Sequence, residues 1–212
     1  MAQLLVDMVT FLKDQDLTTF LCTLLQLVAK GEPVPLTFLA AEAGLPLEQV
    51  ESLLRAQRGT DWDEQGRLLG FGLTQRPTPH QFVVEGRTLF TFCAADALIF
   101  PPILTKPASA DSRCPETGQR IRIDVTPDAV TLVEPATAVV SQVHLDPCVS
   151  DIRAMVCNHG VFYSSIEAAA TWRQQHPDGD VLPVRQFFDL SLAGLHQVGL
   201  AKRHTLIDAR PS

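Results

Sequence analysis

Three things are scarce or missing in this sequence, and each narrows what the protein can be. Lysine and arginine number only 17 against 24 aspartates and glutamates, so the formal net charge is −7 and the surface repels nucleic-acid phosphates. No apolar stretch is long enough to span a bilayer, because Asp96, Pro101 and Pro102 interrupt the longest one. The cysteines form no CxxC pair, which argues against a zinc finger or zinc ribbon.

The first residues also lack the features of a secretory signal. No basic residue precedes the short apolar stretch, and Asp7 interrupts it. We therefore expect a cytoplasmic protein without a membrane anchor, in which thiols stay reduced. The odd number of cysteines, five, fits this expectation because a disulfide framework needs pairs. Cys22 lies in an apolar run and is interpreted as a core residue, while Cys148 has no partner at a diagnostic spacing.

What is present indicates a globular chain whose first third is helical. Hydrophobic residues make up 46% of the 212 residues and charged residues 19%, enough for one ordinary domain or two small ones. Apolar spacing, with glycine and proline at the ends, predicts helices and then a hairpin turn. The predicted helices are residues 4–12, 20–28, 36–43 and 46–57, and the turn is 63–67. This order is typical of a winged helix.

A winged helix raises the possibility of a metal-responsive DNA-binding regulator. The helix that would enter the groove, 46–57, carries Glu48 and Glu51 against a single Arg55. Because phosphates need neutralising, this helix is poorly suited to DNA. We expect a winged helix that serves as a packing module, with no nucleic-acid partner.

After the proline-rich connector 75–80 the pattern changes to strands mixed with segregated helices. The predicted strands are 81–85, 88–92, 120–125, 138–145 and 161–163, and the helices are 166–175 and 184–198. The predicted fold is α+β, with a helical winged-helix-like domain at 1–76 packed on an α+β core at 80–212 whose sheet is mostly antiparallel.

The segment around Cys93 is the first candidate for chemistry. A strand ends near Phe92, and a helix begins at Ala94 and is closed by the prolines at 101 and 102. The positive end of a helix favours a thiolate, and Asp96 is spaced to reach the same face. A nucleophile and acid pair is one interpretation; a helix-capping aspartate beside a space-filling cysteine is the other.

Cys157 and His159 form a second candidate. If this segment is a strand, residues two apart share a face, which suits either a Cys/His hydrolase or a simple pair of metal ligands. A hydrogen-bonded structural histidine remains the plainer interpretation for His159. Cys114 lies in an apparent turn between strands and is interpreted as structural.

Five segments taken in order carry a family resemblance. They are Phe71–Thr74, Phe92–Pro101, Cys114–Gly118, Val133–Ala136, and Asp151–Arg153 with the following Cys157 and His159. In order and spacing they resemble the bacterial organomercurial lyases, also called alkylmercury lyases, over essentially the whole chain. The resemblance implies the same winged-helix-plus-α+β fold and an enzyme of mercury resistance and detoxification.

The resemblance also implies roles for particular residues. Cys93, Asp96 and Cys157 match the family's catalytic trio, and Cys114 matches a structural cysteine. Members often carry another cysteine directly after the second catalytic one; here Asn158 stands there, so no auxiliary thiol is expected at that position.

The trio suits the chemistry of a carbon–mercury bond. Thiolates are the soft ligands that mercury prefers, and the departing carbon must receive a proton. Cys93 is expected to bind first, Cys157 second, and Asp96 to take a thiol proton and pass it to carbon. All three residues are expected to surround the Hg(II) product, while Phe92, Ile99, Phe100 and Phe162 are candidates either for an apolar pocket or for plain core.

No cofactor is expected, because the reaction involves no redox change and the chain has neither a GxGxxG nor a P-loop sequence. The expected partners are organomercurial substrates, with small cytosolic thiols in excess and a mercuric reductase as acceptors of Hg(II). Besides a DNA-binding regulator and a Cys/His hydrolase, a mercury- or copper-binding protein without catalysis remains open. Asp96 argues against that last alternative, since a pure binder needs no proton donor.

Overall fold

The computed structural model describes residues 15–144 and 151–201. The predicted helix at 4–12 and Cys148 lie outside this range. The chain begins with three helices, α1 (Gln15–Val28), α2 (Leu36–Ala43) and α3 (Leu47–Ala56). Prolines stand at the N-caps of α2 and α3, and Gly44 ends α2 in a left-handed conformation with φ 67°. The buried faces of these helices meet at Leu24, Leu39, Val50 and Leu54.

An antiparallel sheet of eight strands follows, in the order β1-β2-β3-β5-β4-β6-β7-β8. Its strands are β1 (Asp61–Trp62), β2 (Leu68–Phe71), β3 (Leu73–Thr74), β4 (His80–Val84), β5 (Arg87–Thr91), β6 (Ala108–Arg113), β7 (Arg120–Val125) and β8 (Val130–Glu134). The hairpin of the winged helix joins the core strands directly, because Leu73 pairs with Thr91 and Thr74 with Phe90. The division into domains at 1–76 and 80–212 stays a prediction, and the sheet is continuous across it.

The rest of the chain adds a small sheet and more helices. The second sheet has the order β10-β9-β11 and is also antiparallel. Its strands are β9 (Val139–Gln142), β10 (Phe162–Tyr163) and β11 (Asp180–Pro183), and the helices are α4 (Ala94–Leu104), α5 (Ile152–Met155), α6 (Ala170–Gln175) and α7 (Val184–Gln197), with a 3-10 turn at Cys157–His159.

Helix α4 is the centre of the molecule. It packs against α1, α7, β9 and the middle of the large sheet, and of its eleven residues only Ile99 is not buried. A helix that is apolar on every side belongs in the interior, since no polar face is available for water. The residue that opens α4 is therefore held between the large sheet and the small one.

The predicted α+β class with a mostly antiparallel sheet is confirmed, and the strand at 120–125 has the predicted bounds. The predicted end of α4 is wrong, because Pro101 and Pro102 lie inside the helix. Proline's fixed φ is compatible with helical backbone, and both rings are buried in the core.

Two further predictions about local structure are wrong. The segment with Cys157 is a 3-10 turn, not a strand, because Gly160 donates its N–H to the Cys157 carbonyl within one tight turn. The helix predicted from residue 166 begins only at Ala170, after turns in which Ala168 N–H is bonded to the Ser165 hydroxyl. Strands β6, β8 and β11 were not predicted, since their polar or edge residues hide the alternation.

Candidate active site

Cys93 lies where β5 gives way to α4, at the N-cap of that helix. Its backbone is extended, with φ −144° and ψ 172°, as an N-cap requires. The Cys93 N–H donates to Asp96 Oδ2 at 3.2 Å, so the carboxyl of the first turn reaches back to the residue that opens the helix. The sequence prediction that these two side chains share one face of the helix start is confirmed.

Cys157 approaches from a different part of the chain. Helix α5 is capped by Asp151, whose carboxylate accepts the Ala154 N–H at 3.0 Å, and the 3-10 turn with Cys157 follows it. The carbonyl of His159, the last residue of that turn, accepts hydrogen bonds from Ser141 Oγ at 2.9 Å and from the Trp172 indole at 3.0 Å. These bonds fix the turn against β9 and α6.

Gly160 lets the two segments come together. Its carbonyl accepts the Ala94 N–H at 2.9 Å, which satisfies one of the free donors at the start of α4. A Cβ added at Gly160 would lie 3.0 Å from Cys93 Cβ, tighter than ordinary packing allows. Glycine at this position therefore permits the close approach of the Cys157 turn to Cys93.

The result is a compact set of three donor atoms. The thiol sulfurs of Cys93 and Cys157 and a carboxylate oxygen of Asp96 all lie within 4.8 Å of one another. Within residues 15–144 and 151–201, no other group of three or more histidine, cysteine or acidic side chains is placed to hold a metal ion. Exposure is 3% for Cys93, 8% for Cys157 and 9% for Asp96. Two sulfurs and one oxygen, almost dry, suit a soft metal better than a hard one.

The electrostatics of this set differ from the sequence prediction in one respect. The helix end was expected to favour a Cys93 thiolate. Instead, the hydrogen bond with Cys157, burial and the Asp96 charge together raise the pKa of Cys93 well above its ordinary value. The neutral thiol is therefore favoured before any metal binds, because both neighbours are acidic groups in a dry environment.

Burial also raises the pKa of Asp96, from 3.8 to about 6, although hydrogen bonds from Cys93 and from the Phe92 backbone pull the pKa downward. Near neutral pH such a group is mostly a carboxylate but is easily protonated. A group that acts first as a base and then as an acid in one reaction needs a pKa close to the working pH.

His159 and Cys114 are placed apart from the three donors. The His159 ring lies edge-on to the ring of His176, the residue that follows α6, with the ring centroids 4.8 Å apart. Cys114 is buried in the turn between β6 and β7, where its carbonyl accepts the Gly118 N–H at 2.8 Å. Burial raises the pKa of Cys114, but hydrogen bonds from Thr117 and Ser164 outweigh it and lower that pKa to about 7.

The four apolar residues named as pocket candidates all belong to the core or lie against it. Phe92, Phe100 and Phe162 are buried, and Ile99 packs against the same cluster at partial exposure. Phe162 also meets the His80 ring edge-on at 5.7 Å between centroids. Core packing therefore accounts for all four.

Three residues that support the site were not singled out from the sequence: Ser141, Gly160 and Trp172. Their contribution depends on contacts between segments far apart in the chain, so no local pattern marks them. Gly160 gave the one available signal, a glycine just after a candidate cysteine, where close backbone approach is a common reason for glycine.

The fold and the donor set together define a class: a winged helix fused to an α+β core that places two thiols and a carboxyl at one buried point. Comparison with known proteins gives the family. Residues 73–195 match the alkylmercury lyase family model, and residues 10–72 match the model of the helix-turn-helix domain of alkylmercury lyase. The chain belongs to the alkylmercury lyase family, whose members are enzymes.

Individual relatives agree over most of the chain. An alkylmercury lyase from Staphylococcus epidermidis is 46% identical over 167 residues, which cover 79% of this chain and 77% of that protein. One from Pseudomonas putida is 39% identical over 184 residues, covering 87% and 86%. A crystal structure of the mercury-bound form of MerB2 superposes with a TM-score of 0.77 at 24% identity, over 95% of this chain and 100% of that one, and confirms the fold.

Among the described residues, no helix combines the length and the apolar character needed to cross a membrane.

Proposed function

We propose that this protein cleaves carbon–mercury bonds by protonolysis, with Cys93 and Cys157 as the thiol ligands of mercury and Asp96 as the proton carrier. Family membership supports the carbon–mercury cleavage. The observation that carries the residue roles is the cluster itself, three donor atoms of the chemically required kinds within 4.8 Å at a buried helix start.

The reaction balances with these three groups. Cys93 binds the organomercurial R–Hg–X, forming an S–Hg bond, and X leaves with a proton. Cys157 then adds its sulfur to mercury, and its proton passes to the Asp96 carboxylate. The second sulfur raises the electron density on mercury and weakens the Hg–C bond. That bond breaks as Asp96 delivers the proton to carbon, leaving a hydrocarbon R–H and Hg(II) between two thiolates.

The raised pKa of Asp96 supports this sequence of steps. A carboxyl with a pKa of about 6 is ionised often enough at neutral pH to accept a thiol proton. Once protonated, it is a weak enough acid to keep that proton until the developing carbanion takes it. Because the metal keeps its oxidation state throughout, the proposed reaction requires no redox cofactor.

Product release sets a separate requirement. Hg(II) held by two buried thiolates dissociates slowly, so competing thiols must take it away. We propose small cytosolic thiols in excess, and a mercuric reductase, as the acceptors, with the cytoplasm as the place of action. Omitting the small thiol from an assay should limit the enzyme to about one turnover.

The experiment is benzene release from phenylmercury acetate with excess small thiol. Wild type should turn over, while Cys93→Ser, Cys157→Ser and Asp96→Asn should each lose activity by at least about a hundredfold, as is common for groups that act in the transition state. Cys22→Ser is the matched control, since Cys22 is a partly buried thiol on α1 outside the cluster. It should retain activity.

Two results would redirect the interpretation. If wild type binds mercury but releases no benzene, the protein is a thiol metal-binder on a lyase fold. If benzene is released by Asp96→Asn at the wild-type rate, the proton carrier is another group. A mercury-independent esterase activity lost in His159→Ala would instead indicate a Cys/His hydrolase.

A further inference from the structure

Arg153 is not one of the three donors, yet it lies on α5, which leads to Cys157, and its side chain covers the ring of Phe92, which precedes Cys93. We propose that Arg153 is a positioning residue: it fastens the Cys157 segment to the winged-helix strands and to the residue before Cys93, and so sets the distance between the two thiols. This inference rests on the proposed function. It also gives the helix-turn-helix domain a part in catalysis that does not involve DNA.

The contacts of Arg153 are specific to its guanidinium group. One nitrogen donates to Asp61 Oδ1 at 2.9 Å and lies 3.3 Å from the Gly59 carbonyl oxygen. The guanidinium carbon lies 3.9 Å from the centre of the Phe92 ring, which it covers. A planar cation that pairs with a carboxylate and stacks on an aromatic ring is the geometry that arginine provides and lysine does not.

The winged-helix side of this contact is itself held in place. The second oxygen of Asp61 accepts the Thr74 hydroxyl at 2.7 Å, so the carboxylate is fixed between β1 and β3. Asp61 is 8% exposed at its side chain and Arg153 27%, which makes the pair far less screened than a surface pair. The anchor on this side is therefore rigid and partly shielded from water.

The backbone of α5 also meets the winged-helix loop closely. The Ile152 N–H donates to the Gln57 side-chain oxygen at 3.2 Å. A Cβ added at Gly59 would lie only 2.4 Å from Arg153 Cβ, so the loop and α5 pack together with no room for a side chain at position 59. Arg153 is thus the centre of a contact between α5 and the loop at 57–61.

The position of Arg153 in the chain makes the contact relevant to the thiols. Phe92 directly precedes Cys93, and Arg153 precedes Cys157 by one helical turn. Cys93 has independent support from the buried helix α4, whereas α5 has only four residues and none of them is buried. Ser141 and Trp172 hold the far end of the Cys157 turn at the His159 carbonyl, whereas Arg153 is the side chain of α5 that fastens its near end. Loss of Arg153 should therefore displace Cys157 and leave Cys93 in place.

This asymmetry predicts which step fails. In Arg153→Met the first S–Hg bond should still form at Cys93, but the second thiol should arrive poorly placed. We expect kcat for benzene release to fall by about tenfold or more, as small misplacements of reacting groups do, with KM within about threefold of wild type. Intact-protein mass spectrometry after a brief exposure to phenylmercury should show retained phenylmercury on the variant and phenyl-free Hg(II) on wild type.

Arg120→Met is the matched control. Arg120 also pairs with an aspartate across neighbouring strands, Asp111 on β6, but it is exposed and outside the site. Its kcat, KM and adduct mass should match wild type. Arg153→Lys keeps the charge but not the planar stack, so it should recover thermal stability better than kcat.

Asp61→Asn closes the test. If Arg153 acts through Asp61, then Asp61→Asn alone should lower kcat, and adding it to Arg153→Met should cause little further loss. Wild-type kcat in Arg153→Met with no retained adduct would overturn the inference, as would fully multiplicative effects of the two substitutions. Failure of wild type to release benzene would instead reject the proposed function. If Arg153→Met does not fold, Arg153→Lys and Asp61→Asn decide by the same two readouts.

Discussion

Asp96 is a carboxyl that the fold stabilises in its protonated form. Burial raises its pKa from 3.8 to about 6, so the folded protein holds this proton more tightly than the unfolded chain does. The contribution of the group to stability is therefore greatest below pH 3.8 and is lost as the pH rises through about 6. At neutral pH the ionised carboxylate costs the folded state free energy.

Asp96→Asn should consequently stabilise the protein while abolishing benzene release. The amide keeps an oxygen that can accept the Cys93 N–H, but removes the buried charge. At pH 8 we expect the free energy of unfolding to rise by up to about 3 kcal/mol, from the size of the pKa shift, with the gain vanishing towards pH 4. Urea unfolding at both pH values measures this.

Asp111→Asn serves as the control for that measurement. Asp111 pairs with Arg120 at the surface of the sheet, so its loss should cost between 0 and about 1 kcal/mol at pH 8. A loss of stability in Asp96→Asn as well would mean that the carboxylate is stabilised in the fold, contrary to the effect of burial described above.

Gly160 carries a prediction of its own. Because an added Cβ would press on Cys93 at 3.0 Å, Gly160→Ala should push the Cys157 turn away from the start of α4. Its φ of −87° is acceptable for alanine, so the effect comes from contact and not from backbone strain. We expect at least about a tenfold loss of kcat and weaker retention of Hg(II) against a competing thiol. Unchanged Hg(II) retention would show that the neighbours yield.

Among the elements, the 157–161 segment is joined to β9 through the side chain of Ser141. Ser141 on β9 donates to the His159 carbonyl at 2.9 Å and accepts the Val161 N–H at 3.0 Å, and it is completely buried. Ser141→Ala removes the acceptor of the Val161 N–H and leaves the His159 carbonyl with the Trp172 indole as its donor.

We expect this substitution to cost about 1–3 kcal/mol of stability and to lower kcat through the displaced turn. Ser109→Ala, on a half-buried position of β6, should cost much less. Equal losses in the two variants, measured by urea unfolding, would remove the special role of Ser141.

The elements that could be predicted are those set by local sequence patterns, and not those set by contacts between distant segments. Helix α2 and strand β7 have periodic apolar residues and clear end signals, and both were predicted with their observed bounds. The Cys157 turn has no such period, because bonds to β9 and α6 determine it. The pairing of Cys93 with Cys157 likewise came from the family resemblance, since 64 positions separate the two and no spacing rule reaches so far.

At the scale of the whole molecule, negative charge on the winged helix opposes binding to DNA. Glu48 lies in the first turn of α3 and Glu51 one turn on, and the chain has a net charge of −7. We expect no mobility shift of duplex DNA at 50 mM salt. A double variant, Glu48→Lys with Glu51→Lys, should gain weak, salt-sensitive binding if charge is the obstacle. A wild-type shift that disappears with added salt would revive the regulator hypothesis.

The pairing of β2 with β3 also bears on how such a protein could evolve. The two family models meet at residues 72 and 73, inside the run of strands that forms a single sheet. A foreign helix-turn-helix domain grafted at that joint would have to bring a strand in register with Leu73 and Thr74, as β2 is, and a carboxylate where Asp61 meets Arg153. The helix-turn-helix part and the lyase part are therefore expected to be inherited as a pair. Chimaeras that exchange only one of the two parts should lose enzymatic activity.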